Sequence, residues 1–379
     1  MGARCSCDPC QEEELPVRVL EQHAAIDWEK PEVGLCISGG GLSSACAVAG
    51  TLRALEHLNL AKEFTQLSVV GGSAWATAAY VFSAASAVHL LGAPTNPETL
   101  SLEVLDAFPV PLLRSVVANV STETKEAKQP EKANTGPTQV EEVIELVASK
   151  WLEPYALRGR YFLAANTKDY RRILQQYPKM QDEKFLLPRT DRPMWIVGGS
   201  LVSEENQLPF QMTPSLITGP ASSGSRTYEP IIFPFFRDVE TDTLHILGSV
   251  QSFAFGGVHE DLSRISKTSP VLTAPADPFT LADMLTLSGL SQAAKLLRSD
   301  INRWPVKGTA ASPGPEVAFT DGSLTDNSGL LHLLQRRVGR IVWVDFGWEC
   351  IESGTPQQNN MNDMMEKFGC LQPGIGADV

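Results

Sequence analysis

A serine that follows an apolar run and is flanked by small residues is a candidate nucleophile. Gly71-Gly72-Ser73-Ala74-Trp75 follows Leu67-Ser68-Val69-Val70, so Ser73 stands where a buried strand would turn sharply into a helix. Such an elbow needs small neighbours because its backbone is strained, and the hydroxyl then projects clear of the sheet. The full pattern is Gly-x-Ser-x-Gly, whose last position here is Trp75; a serine capping a helix is the plain alternative. Upstream lies Ser38-Gly39-Gly40-Gly41. Acyl transfer passes through an oxyanion, and a glycine triplet at a helix start supplies bare N–H donors for it. A phosphate-cradling loop is the rival, but it would show Lys-Ser/Thr or a further spaced glycine after the triplet. A serine also needs a base to take its proton. Asp321-Gly322-Ser323 follows the apolar Val317-Ala318-Phe319 and could place a carboxylate at a strand end, although an aspartate before glycine is also ordinary turn chemistry.

These three pieces require particular elements to hold them. The apolar run Val33 to Ile37 predicts a buried strand entering the glycine loop, and the helical spacing of Ala45, Val48, Ala49, Leu52 and Leu55 predicts a helix from about Ser43 to Leu58. Leu67 to Val70 reads as a second strand and Trp75 to Leu91 as a second helix. Strand, turn and helix twice in succession signify an α/β sheet with parallel strands. The sheet resumes near Met194 to Val197 and Val317 to Phe319, followed by a helix over Gly329 to Arg336 and a buried strand over Ile341 to Val344 that ends at Asp345. Between them the pattern is mostly helical, including an apolar helix over Leu100 to Val117 and a polar loop over Ser121 to Gln139. No charged side chain occurs between Glu63 and Glu98. Its Ala, Gly and Ser content fits a buried strand and helix rather than a membrane span.

Composition narrows the function classes. With 43% hydrophobic and 20% charged residues among 379 the chain is globular in make-up, and its net charge of -13 offers no basic stretch for nucleic acid or anionic membranes. Seven scattered cysteines without a secretory signal indicate a reduced, cytoplasmic setting. The six histidines form no cluster that would suggest a metal. The start, Met1-Gly2-Ala3-Arg4-Cys5-Ser6, fits the pattern for myristoylation of Gly2. One such chain holds a protein only marginally, and Cys5, Cys7 or Cys10 could supply the second anchor by palmitoylation. A chance match in a frayed tail is the bland alternative; a small metal knuckle would lack a fourth ligand.

The order of glycine loop, Gly-x-Ser-x and distant Asp-Gly resembles the patatin-like lipid hydrolases, and within them the cytosolic phospholipase A2 catalytic domain. The resemblance rests on Ser38-Gly39-Gly40-Gly41, Gly71-Gly72-Ser73-Ala74-Trp75 and Asp321-Gly322-Ser323-Leu324-Thr325-Asp326-Asn327, with lesser likeness at Phe210-Gln211-Met212-Thr213-Pro214 and Val344-Asp345-Phe346. It implies a three-layer α/β domain of the patatin-like (FabD/lysophospholipase-like) type with an inserted helical cap. Residues 1–32 would be an N-terminal tail, 33–350 the domain with its helical insertion at about 94–190, and 351–379 a C-terminal tail.

The implied chemistry is a Ser–Asp dyad without histidine, metal or cofactor. Asp321 would accept the proton of Ser73, which attacks an acyl ester of a membrane glycerolipid, while the amides of Gly39, Gly40 and Gly41 hold the oxyanion. The α/β-hydrolase order Ser, Asp, His would instead recruit His332, but that residue falls inside the apolar run Leu330 to Leu334. The family's arginine after the glycine loop is replaced by Leu42, Ser43 and Ser44. Without that cation, lysophospholipids, galactolipids and neutral glycerides are as open as phospholipids. Only about thirty residues precede the first strand, below a domain's usual size, so the calcium-binding C2 domain of better-known members is not expected. Transfer to a second lipid rather than water, and a catalytically inactive lipid-binding or scaffold protein of the same fold, are the alternative functions. The N-terminal motif implies peripheral attachment to the cytoplasmic membrane surface. Gly2→Ala is therefore expected to move the protein from the membrane to the soluble fraction on centrifugation, and an unchanged distribution removes the anchor.

Overall fold

The computed structural model describes residues 32–94, 96, 98, 144–202, 207–218, 236–238, 243–245, 249–255, 278–289, 303–304, 317–336 and 338–346. Gly2, Cys5, Cys7, the helix expected over 100–117, the loop over 121–139 and the C-terminal tail lie outside them.

Strand β1 (Val33–Ile37) is apolar along its length because both of its edges and both of its faces are covered. It pairs in parallel with β2 (Gln66–Val69) on one side and with β13 (Arg340–Val344) on the other. Next to β2 lies β5 (Met194–Val202), also parallel, with Val69 opposite Val197. From β5 outward the pairing becomes antiparallel, through β6 (Gln207–Met212), β7 (Leu216–Thr218) and β10 (Ser249–Gln251). Two short pairs stand outside this sheet: β3 (Phe162–Leu163) with β4 (Phe185–Leu186), and β8 (Phe236–Asp238) with β9 (Thr243–His245). Among the described residues the sheet is thus mixed rather than parallel throughout.

The length of β5 has a consequence for the site. One of its edges carries β6 across Val197 to Val202. The other edge is shared end to end: β2 occupies Met194 to Val197, and β12 (Val317–Asp321) runs in from the opposite direction against Gly199 to Val202, with β11 (Arg303–Trp304) beside it. The carboxyl ends of β2 and β12 therefore face each other along one edge, at Gly198.

Alternation along the strands divides the core. Leu35, Ile37, Val69 and Val197 belong to the larger cluster, which holds α1 (Gly41–His57) through Ala45, Val48 and Leu52, α2 (Gly72–Phe82) and α5 (Leu281–Gly289). Cys36 and Ile196 belong to a smaller cluster under α6 (Leu330–Gln335), with Leu333 and Val338. A reciprocal capping box starts α5: Asp283 Oδ2 accepts from the Thr280 amide, and Thr280 Oγ1 from the Asp283 amide.

The helix expected over Trp75 to Leu91 is two helices, α2 and α3 (Ala87–Leu91), broken at Ser83. The Ser83 hydroxyl accepts from the Ala85 amide, and Arg189 collects the carbonyls of Ala84 and Ala85 through its guanidinium. Backbone groups that would have continued the helix are satisfied sideways instead. The expected helical insertion contains α4 (Thr167–Gln176) and a π-helical turn at Val147–Leu152, but also the β3–β4 pair. No helix among the described residues is long and apolar enough to cross a membrane.

Trp75, the residue at odds with the elbow pattern, is a packing anchor. Its ring is 3% exposed, lies edge-on to Trp151 at 5.5 Å, and its Nε1 donates to the Leu285 carbonyl at 3.1 Å. Trp151 Nε1 in turn donates to the Trp75 carbonyl at 2.7 Å. Trp75→Ala is expected to lower stability by about 3–5 kcal/mol in urea unfolding, and a loss below about 1 kcal/mol would deny it this role.

Candidate active site

The turn from β2 into α2 is where a nucleophile was expected, and its backbone assigns the positions differently from the sequence pattern. Gly71 has φ 62° and ψ -134°, and α2 begins at Gly72. The strained residue of the strand-to-helix turn is therefore Gly71. Ser73 is the second residue of the helix, fully buried, its amide directed to the Val70 carbonyl at 3.3 Å. Its hydroxyl donates to the Ser38 carbonyl at 2.5 Å. The expectation that Ser73 projects from the tip of the elbow is thus corrected. A hydroxyl has one proton to give, and here a peptide carbonyl, which is no base, receives it.

The packing around Gly72 explains this placement. A Cβ on Gly72 would lie 1.7 Å from the Gly41 carbonyl oxygen, so the starts of α1 and α2 touch backbone to backbone there. Gly72 must be the glycine inside the helix, which leaves the turn itself to Gly71. Two successive glycines look alike in the sequence; only the contact with Gly41 tells them apart.

The glycine loop is also more committed than expected. The Gly39 amide donates to the Asn327 carbonyl at 2.8 Å, and a Cβ there would meet Asn327 Oδ1 at 2.3 Å. Gly39 therefore spends its donor on the segment after β12, and the three amides of Gly39, Gly40 and Gly41 do not act as one set. Gly40 and Gly41 have φ of 158° and 64°, stand at the N-terminus of α1 and are half-buried and exposed respectively. Ser38 fixes the base of the loop, its amide donating to the Val344 carbonyl and its Oγ accepting from the Phe346 amide at 2.7 Å.

Asp321 ends β12 with 2% of its surface exposed, opposite Gly199 of β5, and its Oδ1 accepts from the Ser323 amide at 2.8 Å. The end-to-end meeting of β12 and β2 leaves Asp321 opposite Gly199 and Val69 opposite Val197 on one edge of β5. The next residue, Gly322, would with a Cβ touch the Gly198 carbonyl at 2.6 Å and Val70 Cγ1 at 3.0 Å. Ser73 points the other way, to the end of β1, which flanks β2 on the side away from β5. The structure sets Asp321 at the end of β12, on the β5 edge that β2 shares, and turns Ser73 towards the glycine loop.

Nothing in the sequence marks out Ser288, a buried serine near the end of α5. Its Oγ accepts from the Gly71 amide at 3.1 Å and donates to the Gly198 carbonyl at 2.6 Å, tying the elbow to β5. A lone serine in a helix carries no periodicity or motif that would reveal this. Asp326 is equally structural: Oδ1 accepts from the Ser328 amide and hydroxyl and Oδ2 from the Leu331 amide, holding the start of α6. His332 is buried against β2 on the α6 side of the sheet, with Nδ1 3.2 Å from Ser68 Oγ. Burial, with the charge of Asp326 adding to it, pushes the Cys36 thiol up to about 12, so it is not a substitute nucleophile. Among the described residues no three His, Cys, Asp or Glu side chains group for a metal.

No family model and no curated protein sequence matches the chain. Three solved structures of human GIVD cytosolic phospholipase A2 are similar to it in fold. One is 13% identical over 92% of this chain and 45% of its own, at a TM-score of 0.44, and was determined with methyl gamma-linolenyl fluorophosphonate and terbium chloride. A second, with the same fluorophosphonate alone, is 13% identical over the same shares at 0.42. The third is 14% identical over 76% of this chain and 32% of its own at 0.37. The chain spans less than half the length of those proteins, and the likeness is one of α/β fold, a mixed sheet with helices, rather than of activity.

Proposed function

We propose that this protein binds an acyl lipid in a phospholipase-type site without hydrolysing it. One observation carries the reading: the strained residue of the strand-to-helix turn is a glycine, while the nearby serine gives its proton to a peptide carbonyl. Acyl transfer needs a nucleophile whose proton can pass to a base in the transition state. Ser73 lacks that partner, and Gly71 has no side chain to offer.

Several features support a lipid ligand rather than another small molecule. The glycine loop, the elbow and Asp321 gather at the carboxyl ends of β1, β2 and β12, where α/β sheets place their sites. The motifs at residues 38–41, 71–75 and 321–327 resemble those of lipid acyl hydrolases. In this reading the fold is of the three-layer patatin type with an inserted helical cap, and acyl chains at Gly2, Cys5 or Cys7 hold the protein peripherally on the cytoplasmic membrane surface. The headgroup is set by something other than the family's arginine, whose place is taken by Leu42, Ser43 and Ser44.

A second reading, hydrolysis or transacylation through Ser73 with Asp321 as base, is favoured by the position of Ser73. It lies in the first turn of α2, against the root of the glycine loop. The two readings part in a single pair of measurements on the full chain. Under the first, a long-chain alkyl fluorophosphonate does not label Ser73, and phosphatidylcholine, lysophosphatidylcholine and diacylglycerol are cleaved no faster than in buffer. Ser73→Ala then leaves co-sedimentation with lipid vesicles within about 2-fold and costs only about 1 kcal/mol of stability, the value of one hydrogen bond. Ser73-dependent labelling or hydrolysis would establish the second reading and remove the first.

A further inference from the structure

The sheet ends on one side at β13, and among the described residues no strand pairs with its outer edge. Which of its backbone groups face outward follows from its bonds to β1. The Arg340 amide donates to the Glu32 carbonyl at 3.1 Å, and the Val344 carbonyl accepts from the Ser38 amide at 3.0 Å. Residues 340, 342 and 344 therefore turn their backbone groups to β1, and alternation turns those of Ile341 and Trp343 outward. The amides and carbonyls of both are offered to a further strand. Trp343 adds a side-chain donor, an indole Nε1 that is buried with no hydrogen-bond partner.

Proteins blunt such an edge by keeping it short, by placing charge or proline along it, or by covering it. At the far side of the sheet β10 is short, three residues long. β13 has five residues, Arg-Ile-Val-Trp-Val, with its one charge at the first position and no glycine or proline. β-Branched and aromatic residues of this kind suit a paired strand. Val342 at its centre lies opposite Leu35, on the sheet face that α1 covers elsewhere, and is 45% exposed.

We infer that this edge is a self-association surface, to which a second copy of this chain adds its own β13 in the antiparallel sense. The inference does not depend on the lipid-binding reading. The edge is self-complementary about Val342. With Val342 opposite Val342 of the second copy, Ile341 faces Trp343 of the second copy and the reverse, so the outward residues of both strands exchange their amide–carbonyl bonds. The Val342 side chains then form a close pair, with Cα atoms about 4.5 Å apart, and cover one another. Exposed Arg340 falls opposite Val344 of the second copy, beside its exposed Asp345. Opposite charges thus lie together at both ends, and like charges do not meet. A two-fold axis through Val342 closes the pair, so association stops at the dimer.

One strand edge with its flanking side chains is a small contact beside the about 1,200 Å² of a stable interface, so association is expected in the micromolar range. The test follows the mass of the full chain by sedimentation velocity between about 1 and 100 µM. The expected result is a change from one chain to two and no further. Val342→Lys sets like charges face to face at a half-exposed site. It should keep its Tm within about 2 °C in dilute solution and stay monomeric throughout. Val342→Cys should form a disulfide between the introduced thiols on mild oxidation, because close antiparallel pairs hold their Cα atoms at a distance that the bond spans. Mass spectrometry distinguishes it from bonds of the native cysteines, and Leu334→Cys, at a site 43% exposed on α6, should form none with its own copy. A chain that stays monomeric at about 100 µM overturns the inference; slow hydrogen exchange at the Ile341 and Trp343 amides of that monomer would assign the edge to a segment of the same chain. Assembly beyond two chains overturns it too, as does a dimer that Val342→Lys leaves intact or whose introduced thiols in Val342→Cys do not join. Should Val342→Lys fail to fold, the disulfide in Val342→Cys decides alone.

Discussion

The helices α1 and α2 begin against one another with no side chain between them. The Gly41 carbonyl occupies the space that a Cβ on Gly72 would need, and Ser44 Oγ, which donates to that same carbonyl at 2.8 Å, closes the gap from the other side. A contact this close admits only backbone, so Gly72 is fixed as the first helical residue of α2. The strained turn then falls on Gly71, and the next residue to face the glycine loop is Ser73. Its hydroxyl is placed at the Ser38 carbonyl by the same contact. Whatever chemistry the site performs is decided by where the two helices meet, before any side chain of the site is considered.

That meeting also sets the electrostatics. Each helix start carries a partial positive charge from its unsatisfied amides, and here two starts are adjacent. Such a pair repels unless negative groups lie near, and several do. The Ser38 carbonyl takes the Ser73 hydroxyl, the Asn327 carbonyl takes the Gly39 amide, and buried Asp321 lies across the end of β2. Two adjacent helix starts suit a ligand with a polarised carbonyl, whose oxygen carries a partial negative charge. An ester group at the head of an apolar chain has that character.

Much of this framework was legible in the sequence, and the losses have identifiable physical causes. The strands around Leu35 and Val69 were readable because central strands of a two-faced sheet are apolar runs; the run around Val342 was read as buried too, but β13 is the edge strand and Val342 is 45% exposed. The continuation of β5 beyond Val197 was hidden, since Gly198-Gly199-Ser200 looks like a loop. In the fold those residues are small because other groups crowd them: the His332 ring and Val70 approach Gly198, and the Phe210 ring approaches Gly199. The break at Ser83 was unreadable for a related reason, because the groups that replace the helix bonds come from Arg189, about a hundred positions away. Asp321 could be picked out by its place after an apolar strand. Ser288 could not, because its role is a contact and has no local signature.

The serine motif shows most clearly how a spacing rule can be satisfied in the wrong register. Counted around Ser73, the pattern small-x-nucleophile-x-small ends on Trp75, a misfit whose ring is instead buried between Trp151 and α5. Counted around Gly71, the final small position is Ser73, and Trp75 falls outside the pattern and needs no excuse. The physical demand at that final position is for a residue small enough to let the new helix pass close to the strand before it. Ser73 meets it, bonding to the end of β1 at 2.5 Å. The serine that looks like a nucleophile is thus the residue that seats the helix, and the strained position it supports carries a glycine.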